Sequence, residues 1–168
     1  KIVALNIEGN RLSNAVQRLQ RLFIRHPGDP ATGLAHLTLG ELRLRQFYKT
    51  PDVNRLQFTN LLSEALGHFD VILKGDDQTD LMGKSWLGRG WALWEWGNLS
   101  GRKFQFGLAQ QAYSNAVNDL VLSREQAIAQ FKVADCLFRQ ADYGVASSNY
   151  WASISIATNS IGFNNELV

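Results

Sequence analysis

The chain has 168 residues, 45% of them apolar and 19% charged, enough apolar mass for a buried core and too little charge for a disordered chain. A single cysteine excludes an internal disulfide framework and a cysteine-based zinc site, and a net charge of +2 does not by itself point to nucleic acid. No apolar run approaches the roughly 18–20 residues that a membrane-spanning helix needs.

Residues 1–10 read as the partial start of a truncated repeat. Ile2, Val3, Leu5 and Ile7 lack the layout of a signal peptide. Ala15, Leu19 and Leu22 then fall at i, i+4, i+7, one face of a helix, with Arg18, Arg21 and Arg25 striping another. Pro27-Gly28-Asp29-Pro30 is a turn in which Asp29 caps the next helix. That helix, Ala31–Phe47, is apolar on more than one face, through Leu34, Leu37, Leu39, Leu42 and Leu44. Lys49–Phe58 is irregular, and Ala65, Phe69 and Ile72 resume the helical spacing. Asp76, Asp77 and Asp80 lie in a polar break whose spacing is not that of a calcium loop; they read as capping carboxylates.

Thr79–Trp96 is a helix carrying Trp86, Trp91, Trp94 and Trp96, which cannot all share one face. Its glycines, Gly83, Gly88, Gly90 and Gly97, do not form a phosphate-binding loop and are expected to pack closely beside the indoles, with Gly97-Asn98 ending the helix. Leu99–Leu108 reads as a second irregular stretch. Arg102, Phe104 and Phe106 echo Arg55 and Phe58 of the first. Ala109, Tyr113 and Ala116 mark the next helix. Ser123 and Gln126 form a capping-box candidate for Ser123–Gln140, inside which Cys136 reads as a buried apolar residue and not a nucleophile. Ala141-Asp142 turns the chain into a last helix marked by Ala146, Tyr150 and Ser153; residues 159–168 are expected to be a tail. The marker alanines are 50, 44 and 37 residues apart. Seven helices in antiparallel pairs are predicted.

This alternation resembles the tetratricopeptide repeat family, whose helix A carries Trp, Leu-Gly and Tyr and whose helix B carries Ala, an aromatic four later and Ala three later. Ala109, Tyr113 and Ala116 match helix B; Ala15 with Pro27 matches its start and end. Leu39-Gly40 and Leu87-Gly88 match the helix-A pair, Trp86 with Gly90 offers a second register, and Val133-Ala134 with Leu137 fills the third pair. Arg43 stands where the family has an aromatic. The resemblance implies an all-α, right-handed superhelix of antiparallel helix pairs over residues 11–158, with insertions between helices A and B at 49–58 and 99–108. The stretch Ala15–Pro30 followed by Leu39-Gly40-Glu41 is similar to repeats of Gram-negative envelope proteins.

The residue types point to binding and not to catalysis. No local acid–base pair, activated nucleophile or metal cluster can be assembled; His26 suits a helix end, and His36 and His68 read as packing or surface residues. Neither an enzymatic role nor a cofactor is expected. Residues 1–60 hold nine Lys/Arg against four Asp/Glu, whereas residues 61–168 hold eight against eleven, so no continuous basic track is available for nucleic acid. The inner surface implied by the resemblance would present Glu41, Arg45, Arg89, Trp94, Glu95, Lys132, Asp135 and Arg139. This mixture of charges and aromatics suits a peptide or protein segment. The alternative is a structural spacer or oligomerisation segment of a larger bacterial envelope-associated protein. The sequence leaves the compartment open, periplasmic or cytoplasmic.

Overall fold

A computed structural model describes residues 12–26, 29, 31–75 and 79–165. Seven α-helices run through them: α1 (Leu12–Arg25), α2 (Ala31–Lys49), α3 (Thr59–Leu73), α4 (Thr79–Ser100), α5 (Lys103–Asp119), α6 (Arg124–Arg139) and α7 (Tyr143–Asn165). A 3₁₀ segment, Asp52–Phe58, joins α2 to α3. No strand occurs among the described residues, and no helix there is long and apolar enough to cross a membrane. The chain divides into two compact units, up to Leu81 and from Met82 onward. The expected residues 1–10 and the carboxylates Asp76 and Asp77 lie outside the described residues, as does Pro27-Gly28.

In the first unit α1 packs on α2 through Ala15, Val16, Leu19, Ala35, Leu39 and Leu42. Antiparallel α2 and α3 meet where Gly40 admits the buried Phe69 ring; a Cβ at Gly40 would lie 2.5 Å from Phe69 Cε1. The other unit repeats this device along a whole seam. Gly83 faces Leu120, Gly90 faces Tyr113 and Gly97 faces Phe106, at Cβ distances of 2.9, 2.5 and 2.9 Å. Residues seven apart on α4 thus meet residues seven apart on α5, the pairing expected of two antiparallel helices in tight contact. Gly83 meets Leu120 at the end of α5, and Gly90 and Gly97 meet rings carried by α5. Gly90 takes against Tyr113 the part that Gly40 takes against Phe69.

Capping chemistry sets the ends. Asp29 Oδ1 accepts from the Ala31 amide at 2.8 Å, and Ser123 Oγ accepts from the Gln126 amide at 3.2 Å. The Gln126 side chain does not reach back to close a reciprocal box. Its Nε2 donates to the Val117 and Leu120 carbonyls, tying the end of α5 to the start of α6. Gly97-Asn98 does not end α4. The helix continues to Ser100 and stops at Gly101, which has φ +66°. The second expected insertion is therefore only the turn Gly101-Arg102. Phe104 and Phe106 belong to the first turn of α5, the former exposed and the latter buried. The first insertion does interrupt the helices, as the 3₁₀ segment. At the far end α7 runs past 158 to Asn165 and buries Ser160.

The end of α6 has a conformational cost. Asp142 N donates to Leu137 O and Ala141 N to Phe138 O, with Ala141 left-handed at φ +70°. A Cβ disfavours that region, where glycine is at home. Ala141→Gly is expected to stabilise the fold by about 1 kcal/mol in denaturant unfolding. An unchanged or lower midpoint would show that the turn carries no such cost.

Candidate functional site

The richest side-chain constellation lies where α4 faces α6. Trp91 and Trp94 are one helical turn apart on α4 and share a side. Lys132 Nζ sits 4.8 Å from the Trp91 ring centre and 4.5 Å from that of Trp94. Arg139 lies 5.4 Å from the ring centres of both Trp94 and Phe106. Each cation is thereby held against an indole face, whose quadrupole attracts it. Lys132 also donates to Asp135 Oδ2 at 2.7 Å, and the Tyr150 hydroxyl of α7 donates to Asp135 Oδ1 at 2.8 Å. Tyr150 stacks obliquely on Phe131. Its phenol is pushed up to about 12, first by burial and then by the Asp135 carboxylate it hydrogen-bonds.

Of the residues expected to bind, Trp94, Lys132, Asp135 and Arg139 are thus brought together. Trp94 is buried at 8% exposure, so it serves as a platform for the cations and not as a projecting anchor. Arg89 lies over Trp86, 5.7 Å from its centre, about 140° round α4 from Trp94. Glu95 is half-buried one turn beyond Trp91. Glu41 and Arg45 belong to the first unit, where with Thr38 and Leu42 they line a depression of about 240 Å³. Trp91, Phe106 and Tyr150 are members that the sequence reading missed. The helical spacing Trp91–Trp94 is the signal that points to the first.

Other features stand apart from this cluster. Arg18, Arg21 and Arg25 form the expected exposed stripe and line a depression with Leu22 and His26. In the 3₁₀ segment Arg55 folds back onto Asp52 at 2.9 Å and over the Phe47 ring at 5.6 Å. Cys136 is fully buried, and burial pushes its thiol up to about 12. On α7 Trp151 is 71% exposed, the indole that the clustered tryptophans drew attention from.

His36 and His68 are packed against one another, a pairing that their local sequence does not announce. They face each other across α2 and α3 with Nδ1 atoms 3.0 Å apart, and Phe23 of α1 stacks on His36 at 4.3 Å. Arg43 is half-buried and puts Nε 2.6 Å from Glu64 Oε2, an ion pair not aligned as a hydrogen bond. Burial lowers the His36 pKa. Burial first, then His36 and Arg43, lower that of His68, with Glu64 opposing. An unfolded chain therefore binds protons here more readily than the folded one below the ordinary histidine value of about 6.5. The stability these rings contribute is whole above that value and is lost as pH falls toward the lowered folded values. The thermal midpoint is expected to drop between pH 7 and 5, and His68→Gln to flatten the slope; equal slopes in both proteins would refute this origin.

Among the described residues no group of three or more His, Cys, Asp or Glu is placed to hold a metal ion. No protein-family model matches the chain, and no curated protein matches it.

Proposed function

We propose that the chain is a non-catalytic interaction module of the tetratricopeptide type, in which α4 and α6 present a surface for a peptide or protein segment. One observation carries the reading: α4 and α6 bring Trp91, Trp94, Lys132, Asp135 and Arg139 to one face. Lys132 and Asp135 satisfy one another, with side chains only 15% and 19% exposed, so they shape the floor. Arg139 is exposed while its guanidinium rests on Trp94 and Phe106, a preorganised donor for a carboxylate or carbonyl of the partner. In the first unit, Glu41 and Arg45 line a polar depression of their own.

The test is selection of peptides from a displayed library on the whole chain, followed by affinity measurement. Arg139→Glu is expected to weaken selected binders about tenfold, the scale of a lost charged contact. Arg45→Glu is made separately. Binders indifferent to both changes would remove this surface from the function.

A second reading, a spacer or oligomerisation segment, is favoured by α7. From Tyr143 to Asn165 the helix holds no Asp, Glu, Lys or Arg, and Trp151 and Ile154 are exposed on one side of it. An uncharged helix with exposed aromatic and aliphatic side chains invites a covering partner. Concentration-dependent dimers in light scattering that Trp151→Glu abolishes would support this reading; a monomer at all concentrations would exclude it.

A further inference from the structure

We propose that His36 and His68 form a two-imidazole site for a divalent transition cation of the copper(II) or nickel(II) kind, bound through the facing Nδ1 atoms. The separation is the first argument. Imidazole nitrogens bind such cations at about 2.0–2.1 Å, so two nitrogens at a right angle on one ion lie roughly 2.8–3.0 Å apart, and at a tetrahedral angle roughly 3.3–3.4 Å. The observed 3.0 Å fits the right angle, the geometry of tetragonal copper and nickel centres with nitrogen and oxygen ligands, better than that of tetrahedral zinc.

Protonation is the second argument. Two Nδ1 atoms in contact share one proton, and the cation replaces it after a small rotation of the rings. Both rings are held toward the neutral form that ligates, so little protonation has to be reversed near neutral pH.

Surroundings complete the case. Phe23 stacks on His36 and fixes its plane. Arg43 would oppose a cation, but Glu64, one turn before His68, is ion-paired with it and offsets its charge. Both histidines are half-buried, which leaves water access to the remaining coordination positions. The other unit carries a polar pair at matching sequence offsets, without metal-binding side chains. There Gln130, four residues before Ala134, donates to Asn149, the residue before Tyr150, just as His36 precedes Gly40 by four and His68 precedes Phe69.

The experiment titrates the whole chain at pH 7.4 with copper(II) supplied as its glycine complex, which suppresses weak surface uptake. Wild type and His26→Gln are expected to take one equivalent, with an electron paramagnetic resonance spectrum showing coupling to two nitrogens. The thermal midpoint should rise, since the ion ties α2 to α3. His36→Gln and His68→Gln are each expected to bind more than tenfold more weakly and to lose the midpoint rise. Glutamine keeps the polar pairing seen in the other unit, and circular dichroism checks that the variants stay helical. Failure of wild type to take up copper, coupling to fewer than two nitrogens, or undiminished binding in both glutamine variants would overturn the site.

Discussion

Truncating Tyr113 to alanine is expected to destabilise the protein by about 4 kcal/mol, the usual scale for removing a fully buried aromatic. Its ring has no exposure and fills the trough that Gly90 opens in α4, with Trp91 edge-on at 6.0 Å. The converse change is costly for the opposite reason. A methyl at Gly90 would lie 2.5 Å from two Tyr113 ring atoms that have no room to retreat. Overpacking of this kind costs about 1–3 kcal/mol, and the gain in helix propensity returns about 1. Gly90→Ala should therefore lose up to about 2 kcal/mol in the wild-type background. In Tyr113→Ala the same methyl enters vacated space and should stabilise by about 1 kcal/mol. Urea unfolding of the four proteins measures that reversal; additive effects would show that the two residues do not share one contact.

Lys132→Met is expected to cost about 2 kcal/mol. The lysine balances a carboxylate that is four-fifths covered and rests its ammonium on two indoles. Its loss leaves Asp135 with the Tyr150 hydroxyl alone and uncompensated in charge, and stranding one member of a sequestered pair is the expensive case. Replacing both, Lys132→Met with Asp135→Leu, should recover most of the loss, since apolar substitutes for a buried pair are often neutral. Should the double variant unfold as readily as the single one, the pair is not what Lys132 contributes.

Helix positions were largely legible because i, i+4, i+7 spacing and caps are local. Ala31 and Thr79 as starts, and Ser123 as a cap, need only neighbours in sequence. Glycine was the ambiguous letter. Gly97 sits where a helix could stop, yet a helix can also keep a glycine to admit a ring, and the Phe106 that explains it is on another helix. The same holds for Gly90, whose place is explained by Tyr113. Side chains that meet across helices were the least legible part of the site. Trp91 and Trp94 are adjacent by periodicity, but nothing local says that Lys132 and Arg139 reach them. His36 and His68 are 32 residues apart, and only Glu64, four before His68, hints that the position is more than filler.

The sevenfold ruler shared by α4 and α5 bears on how the hairpin forms. Sliding one helix by two turns would set Phe106 against Gly90 and Tyr113 against Gly83, a pairing nearly as well furnished as the native one. What forbids it is the turn Gly101-Arg102, too short to take up the slack without unwinding helix. A flexible extension there would release a competing slipped hairpin, a kinetic trap that the native connection closes off.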